Sequence, residues 1–282
     1  MQPRPFKQVD VFTATPYLGN PVAVVLDGAG LSDAQMQGFA RWTNLSETTF
    51  VLPATEPGAD YHLRIFTPGG ELQFAGHPTL GSCHAWLEAG GTTRSREFVL
   101  QQCGVGLVRL RREQSRMAFG APALQRSAPD AGLLARVAKA LGLEAERIIA
   151  AQLLDNGTAW LGLLLDSPGT VLQLAPSFPE LKELGHKVGV VALKAASDKG
   201  APGVEVRAFA AHLGVNEDPV TGSLNASLAQ WLIGDGYAPE RYVATQGACM
   251  QRAGQVFIER DAAGQVWVGG QAVTCIDGTV TI

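Results

Sequence analysis

Two stretches of this chain read as versions of one another, and that repeat narrows its possible folds more than any other feature. One runs PTLGSCHAWLEAGG from Pro78 and the other PVTGSLNASLAQWLIGDG from Pro219. Pro78 and Pro219, Gly81 and Gly222, and Ser82 and Ser223 all lie 141 residues apart, half of the 282-residue chain. Each stretch opens with proline, which a first helical turn tolerates because the missing N–H would be unpaired there anyway. Each closes on glycines suited to a helix C-terminus. In the second, Val220, Leu224, Leu228, Trp231 and Leu232 form an apolar stripe at helical spacing. A strand-like segment precedes each helix, LRIF at 63–66 and VRAF at 206–209. The spacing predicts two halves of one architecture related by duplication. The break falls near Gly120–Asp130, where APALQRSAPD is rich in Ala, Pro and polar residues. This gives domains over 1–120 and 121–282, with about ten C-terminal residues able to pair back onto the first.

The rest of the chain is strand-rich. Its 33 glycines and 16 prolines are spread evenly, as in many short strands joined by turns. In the first half the expected strands are Gln8–Phe12, Ala23–Leu26, Thr48–Leu52, Tyr61–Phe66, Phe98–Leu100 and Leu107–Arg111. In the second they are Thr158–Leu165, Val188–Leu193, Val204–Phe209, Val256–Glu259, Val266–Gly269 and Val273–Ile276. Two further helices are expected, Ser32–Thr43 capped by Ser32, and Leu133–Leu141 capped by Asp130 and ended by Gly142.

Composition excludes several classes of partner. Hydrophobic residues make up 46% of the chain, charged residues 17%, and the net charge is −4. The densest basic cluster, Arg109, Arg111 and Arg112, reads as a solvated strand or turn, so no nucleic acid is expected. The opening MQPRPFKQVDVF has no apolar stretch suited to a signal peptide. No apolar run approaches the roughly 18 residues of a membrane span. Cys83, Cys103, Cys249 and Cys275 are scattered, which suits reduced thiols in a cytoplasmic protein. His62, His84, His186 and His212 show no mutual metal-ligand spacing and read as structural or surface groups. Gly104 and Gly106 lack the third glycine and following helix of a dinucleotide fingerprint. No metal and no cofactor are expected.

The chemistry concentrates at the starts of the repeated helices. Helix N-termini present unpaired N–H groups and partial positive charge, which attract carboxylates. His77 and Asp218 stand just before the two prolines, an acid/base-capable pair at matching places. Were the halves related by a pseudo-twofold, the two helix starts would face one another across a cleft.

These segments resemble the PhzF-like phenazine-biosynthesis family, whose fold is shared with diaminopimelate epimerase. The resemblance rests on VDVFTATPYLGNPVAVV at 9–25, NLSETTFV at 44–51, FAGHPTLGS at 74–82, EDPVTGS at 217–223 and VGGQAV at 268–273. It implies an α+β fold of two pseudo-symmetric domains, each a barrel-like, mostly antiparallel sheet around a central helix. It implies Glu47 as the acid/base carboxylate, with His77 and Asp218 as the other catalytic positions. Asn20, Gly76, Thr221, Gly222 and Ser223 would hold the substrate, and the enzyme would be a homodimer. The residues alone leave other readings open. Glu47 follows Asn44 at capping-box spacing, although TTFVL argues for a strand. Asp218 fits a helix N-cap, His77 a structural hydrogen bonder, and Asn20-Pro21 an ordinary turn.

A carboxylate that takes a proton from carbon and returns it elsewhere needs a raised pKa, which burial in a closed cleft beside Asp218 would supply. Related epimerases use a pair of cysteines near the helix starts. The corresponding stretches here, Phe74-Ala75-Gly76-His77 and Asp218-Pro219-Val220-Thr221, contain none. The expected activity is therefore isomerisation, moving a proton and a double bond within a small carboxylate- or amine-bearing metabolite. The alternatives are a racemase, epimerase or dehydratase of an amino or hydroxy acid, and a non-catalytic small-molecule-binding protein.

Overall fold

The computed structural model describes residues 1–113, 115–194 and 203–282. The chain divides into a first unit of residues 1–120 with 269–282 and a second of 121–268.

In chain order the first unit contains β1 (Pro3–Val11), β2 (Asn20–Val25), α1 (Asp33–Thr43), β3 (Thr48–Leu52), β4 (Tyr61–Thr67) and β5 (Gly70–Leu72). It continues with α2 (Gly76–Glu88), β6 (Phe98–Cys103), β7 (Gly106–Glu113) and β8 (Arg116–Gly120). The second unit begins with β9 (Gln125–Ser127), α3 (Ala131–Leu141), β10 (Ile148–Asp155), β11 (Ala159–Leu165), α4 (Pro168–Gln173) and α5 (Phe178–Leu184). Then come β12 (Val188–Lys194), β13 (Gly203–Ala210), β14 (Val215–Asp218), α6 (Gly222–Gly234), β15 (Arg241–Gln246), β16 (Gly254–Arg260) and β17 (Val266–Gly270). The chain ends in β18 (Ala272–Thr281), which pairs antiparallel with β1 of the first unit.

The strand pairings run in the same order in both units. In the first, β1–β2 is antiparallel, β2–β3 parallel, β3–β4 and β4–β5 antiparallel, β4–β6 parallel and β6–β7 antiparallel. In the second, β10–β11 is antiparallel, β11–β12 parallel, β12–β13 and β13–β14 antiparallel, β13–β15 parallel and β15–β16 antiparallel. Even the added neighbours correspond, since β18 flanks β1 as β9 flanks β10. Parallel steps need crossover connections, and these carry the outer helices α1, α4 and α5.

The sheets are covered on both faces, so their strands read as nearly continuous apolar runs such as VAVV and VGVVAL. Outside the first unit, Met36 and Ala40 of α1 pack on Val25, Phe50 and Phe66. Outside the second, Val137, Leu141, Val171, Leu181 and Leu184 pack on Leu161, Leu163, Val188, Val190 and Phe209. Inside the first, α2 lies against β1, β2, β3, β4, β8 and β18. It comes so close that a Cβ at Gly81 would stand 2.4 Å from Val22 Cγ1 and 2.9 Å from Val11 Cγ2. In the second unit the close approach is on the strand side, where a Cβ at Gly189 would meet Leu224 Cδ1 of α6 at 2.3 Å.

The fold class is α+β, as expected, but several boundaries differ. α2 begins at Gly76, so His77 lies within its first turn and not ahead of it. α6 begins at Gly222, after a bend that contains Pro219, and Asp218 ends a strand instead of abutting a helix. Ser32 forms a full capping box with Gln35. Asn44 ends α1 in the left-handed region (φ 56°), so no helix starts there and Glu47 is not a capping-box residue. Sequence pattern missed β5, β8, β9, β10, β14, β15, α4 and α5, whose short or Ala-rich segments show weak periodicity. Among the described residues, no helix is long and apolar enough to cross a membrane.

Candidate active site

In the first unit, three segments meet at the start of α2. Asn44 turns the chain out of α1, and Glu47 follows just ahead of β3. β3 runs parallel to β2, and the Glu47 carbonyl accepts the Ala23 N–H at 3.5 Å. Asn20, buried, is the first residue of β2 and pairs with Val11. Glu47 Oε2 stands 3.4 Å from His77 Nε2, with the Glu47 side chain 16% exposed and that of His77 7%. α2 has no side-chain cap at Ala75, so its first turn, including Gly76 and His77, presents backbone N–H groups and the positive end of the helix dipole.

Behind these groups the helix is bolted to the sheet. Thr49 Oγ1 lies 2.7 Å from Ser82 Oγ and donates to the Ala23 carbonyl at 3.2 Å, and both side chains are fully buried. Ser82 therefore serves packing. Cys83 is fully buried too, and burial pushes its thiol up to about 12, which leaves it protonated and unsuited to act as a base.

In the second unit, Asp218 closes β14 and its carboxylate accepts the Thr221 hydroxyl at 2.6 Å. Thr221 is the N-cap of α6, yet its hydroxyl makes no bond into the helix. Gln246, at the end of β15 and 2% exposed, holds this corner together. Its Nε2 donates to the Asp218 carbonyl and to Thr221 Oγ1, both at 2.9 Å. Its Oε1 accepts from the Thr221 N–H at 3.1 Å and from Asn225 Nδ2 at 3.0 Å. Gly222 opens α6, and Ser223 Oγ receives the indole N–H of Trp160 at 3.2 Å.

One residue before Asp218, Glu217 is held by both forks of the Arg207 guanidinium, at 2.9 and 2.8 Å. The third guanidinium nitrogen donates to the Val171 and Leu174 carbonyls at 3.2 and 2.9 Å. This nearly buried pair anchors the strand that ends in Asp218.

Thus Asn20, Glu47, Gly76 and His77 belong to the first unit, and Thr221, Gly222, Ser223 and Asp218 to the second. Sequence reasoning missed Gln246, Trp160, Arg207 and Asn225. Arg207 had a signal, since VRAF repeats LRIF, but Gln246 lies on a strand that alternation did not reveal.

A covered central helix thus carries His77 in its first turn, with Glu47 of the loop ahead of β3 standing 3.4 Å away. The sequence matches the family model of phenazine biosynthesis-like proteins over residues 9–278, and the chain belongs to that family. It is 37% identical over 97% of both chains to antisense-enhancing sequence 1 of Schizosaccharomyces pombe. It is 32% identical to the trans-2,3-dihydro-3-hydroxyanthranilate isomerase of Pseudomonas chlororaphis, over 97% of this chain and 98% of that one. The phenazine biosynthesis protein, PhzF family, from Bacillus anthracis has the same fold, at TM-score 0.85, 24% identity and full coverage of both chains. A hydroxyproline epimerase from Agrobacterium vitis shares it more distantly, at TM-score 0.63 and 14% identity over 99% of this chain and 91% of that one. The expectation of an isomerase agrees with these relatives.

Proposed function

We propose that the protein moves a proton, and with it a double bond, within a small carboxylate- or amine-bearing metabolite, using Glu47 as the single proton carrier. The observation that carries this reading is the 3.4 Å approach of Glu47 Oε2 to His77 Nε2 at the start of α2. The Glu47 carboxylate takes a proton from a carbon next to the double bond. The electron pair released forms the new double bond, and the old one accepts at its far end a proton from the Glu47 carboxyl group, which exchanges with solvent in between. No redox partner is needed. His77 donates a hydrogen bond to a heteroatom of the substrate, and the first-turn N–H groups of α2 favour its anionic group. Asp218 is assigned to the same reaction by the family resemblance. Asn20, Gly76, Thr221, Gly222 and Ser223 are assigned to substrate binding on that ground too.

The first substrate to try is trans-2,3-dihydro-3-hydroxyanthranilate, for which the Pseudomonas chlororaphis relative is named. Absorbance and mass are followed in deuterated buffer for the wild type and for Glu47→Gln. Conversion with deuterium incorporation, lost in the variant, is expected. Equal conversion by both proteins would remove Glu47 as the carrier. Exchange at an α-carbon without movement of a double bond would point to a racemase instead. The same reading takes the enzyme to be a cytoplasmic homodimer, which light scattering of the purified protein and cell fractionation check.

A further inference from the structure

Both units carry a buried glutamine that reaches from the strand following the central helix to a threonine near that helix's start. In the first unit it is Gln101 of β6, wholly buried, whose Nε2 donates to Thr79 Oγ1 at 3.0 Å. Its Oε1 accepts the Tyr61 hydroxyl at 2.8 Å. In the second it is Gln246 of β15, with its four bonds to Asp218, Thr221 and Asn225. β6 and β15 occupy the same place in the pairing order, parallel to β4 and β13 respectively. The device is thus duplicated, but it ends differently. Gln101 reaches a tyrosine in the core, whereas Gln246 reaches the backbone of Asp218 and the hydroxyl that Asp218 accepts.

We infer that Gln246 is a positioning residue for the reaction, holding the Asp218 carboxylate and the Thr221 N-cap in one geometry. An amide does this with both ends at once. Its NH2 group bridges the Asp218 carbonyl and Thr221 Oγ1, which leaves the hydroxyl proton directed at the carboxylate. Its oxygen holds the Thr221 N–H and Asn225, fixing where α6 begins. Because Gln246 is 2% exposed, water cannot readily replace either set of bonds. A misplacement of about 1 Å in a catalytic group can lower turnover about a hundredfold.

The inference rests on Asp218 acting in the proposed reaction, so the test has one arm that needs no substrate. Gln246→Glu keeps the acceptor and loses the NH2 donor, Gln246→Met loses both without adding charge, and Gln101→Met is the control. In all three, the carboxyl carbon resonance of Asp218 and the hydrogen exchange of the Thr221 amide are measured by NMR. Turnover of trans-2,3-dihydro-3-hydroxyanthranilate is measured beside them. Both Gln246 variants are expected to shift the Asp218 resonance and to lower kcat about a hundredfold with KM changed less than about threefold. Only Gln246→Met should speed exchange at Thr221. Gln101→Met should lower the melting temperature and leave kcat and the Asp218 resonance in place. An unmoved Asp218 resonance in Gln246→Met overturns the inference. So does a shifted resonance with wild-type kcat. A wild type that turns over no substrate counts against the isomerase reading, while the resonance arm still decides whether Gln246 holds Asp218.

Discussion

The two units share one pairing order and two central helices of 13 residues each, yet those helices start in different ways. α2 begins at Gly76, with His77 already inside its first turn and Glu47 beside it. α6 begins only after a strand end, a bend at Pro219 and an N-cap threonine. Its polar group is a carboxylate that accepts the Thr221 hydroxyl, while an amide holds the backbone carbonyl of the same residue. The paired arginines differ in the same sense. Arg64 of LRIF binds Glu71 at 2.7 and 2.6 Å and Asp33 at 2.7 Å near the surface, whereas Arg207 of VRAF binds Glu217 in near-complete burial. The two units share a hydrogen-bonded frame while their helix starts differ, because strand pairing constrains backbone and not side-chain chemistry. A histidine–glutamate pair in one unit and a hydrogen-bonded carboxylate in the other is the outcome.

The comparison breaks most readily at the helix starts. Asp218→Asn is expected to lower kcat about a hundredfold with little change in melting temperature, the size of effect for a misplaced group at a reaction site. Thr79→Val, at the start of α2 but facing Gln101, should leave kcat near wild type. Equal losses from the two would erase the functional difference between the units.

The ion pairs sharpen it next. Arg207→Leu leaves Glu217 charged and buried, and should destabilise the protein by about 3–5 kcal/mol in denaturant unfolding. Arg64→Leu, whose partners Glu71 and Asp33 are 36% and 83% exposed, should cost at most about 1 kcal/mol. Smaller again is the packing contrast. Gly81→Ala drives a Cβ into the stiff Val22 and Val11 side chains and should cost about 1–3 kcal/mol. Gly189→Ala meets only the end of Leu224, which can turn aside, and should cost less in the same assay.

The smallest effect concerns acid. Burial lowers the pKa of His84 on α2 below its ordinary 6.5, although Glu88 opposes the shift. The unfolded chain then binds the proton more readily than the native one, so this contribution is complete above about pH 6.5 and lost as pH falls toward the lowered value. α6 carries no histidine. Melting curves at pH 7.5 and 5.5 should show His84→Gln losing less stability on acidification than the wild type.

Much of the frame was legible. The repeat at Pro78 and Pro219, the cap at Ser32, and the alternation of strands such as Thr48–Leu52 and Tyr61–Phe66 are local signals, and local signals survive in sequence. Glu47, His77 and Asp218 stood out through their motifs. The helix starts were misplaced because proline marks a first turn or the bend before it equally well. β10 was missed because its IIAAQLLD pattern lacks a clear period, and β15 because RYVATQ is short and mixes polar with apolar residues on its covered face.

By itself, the sequence determined that this is an α+β chain of two like halves, with its polar chemistry gathered where two glycine-rich helices begin. Only tertiary structure decided that Glu47 comes to 3.4 Å from His77, that Ser82 bolts a helix to its sheet, and that Gln246 grips Asp218 and Thr221. Periodicity and caps are properties of neighbours along the chain. Which side chains meet across 25 or 30 residues depends on strand register and on how closely a helix can approach its sheet, and those are set by the packing of the whole unit.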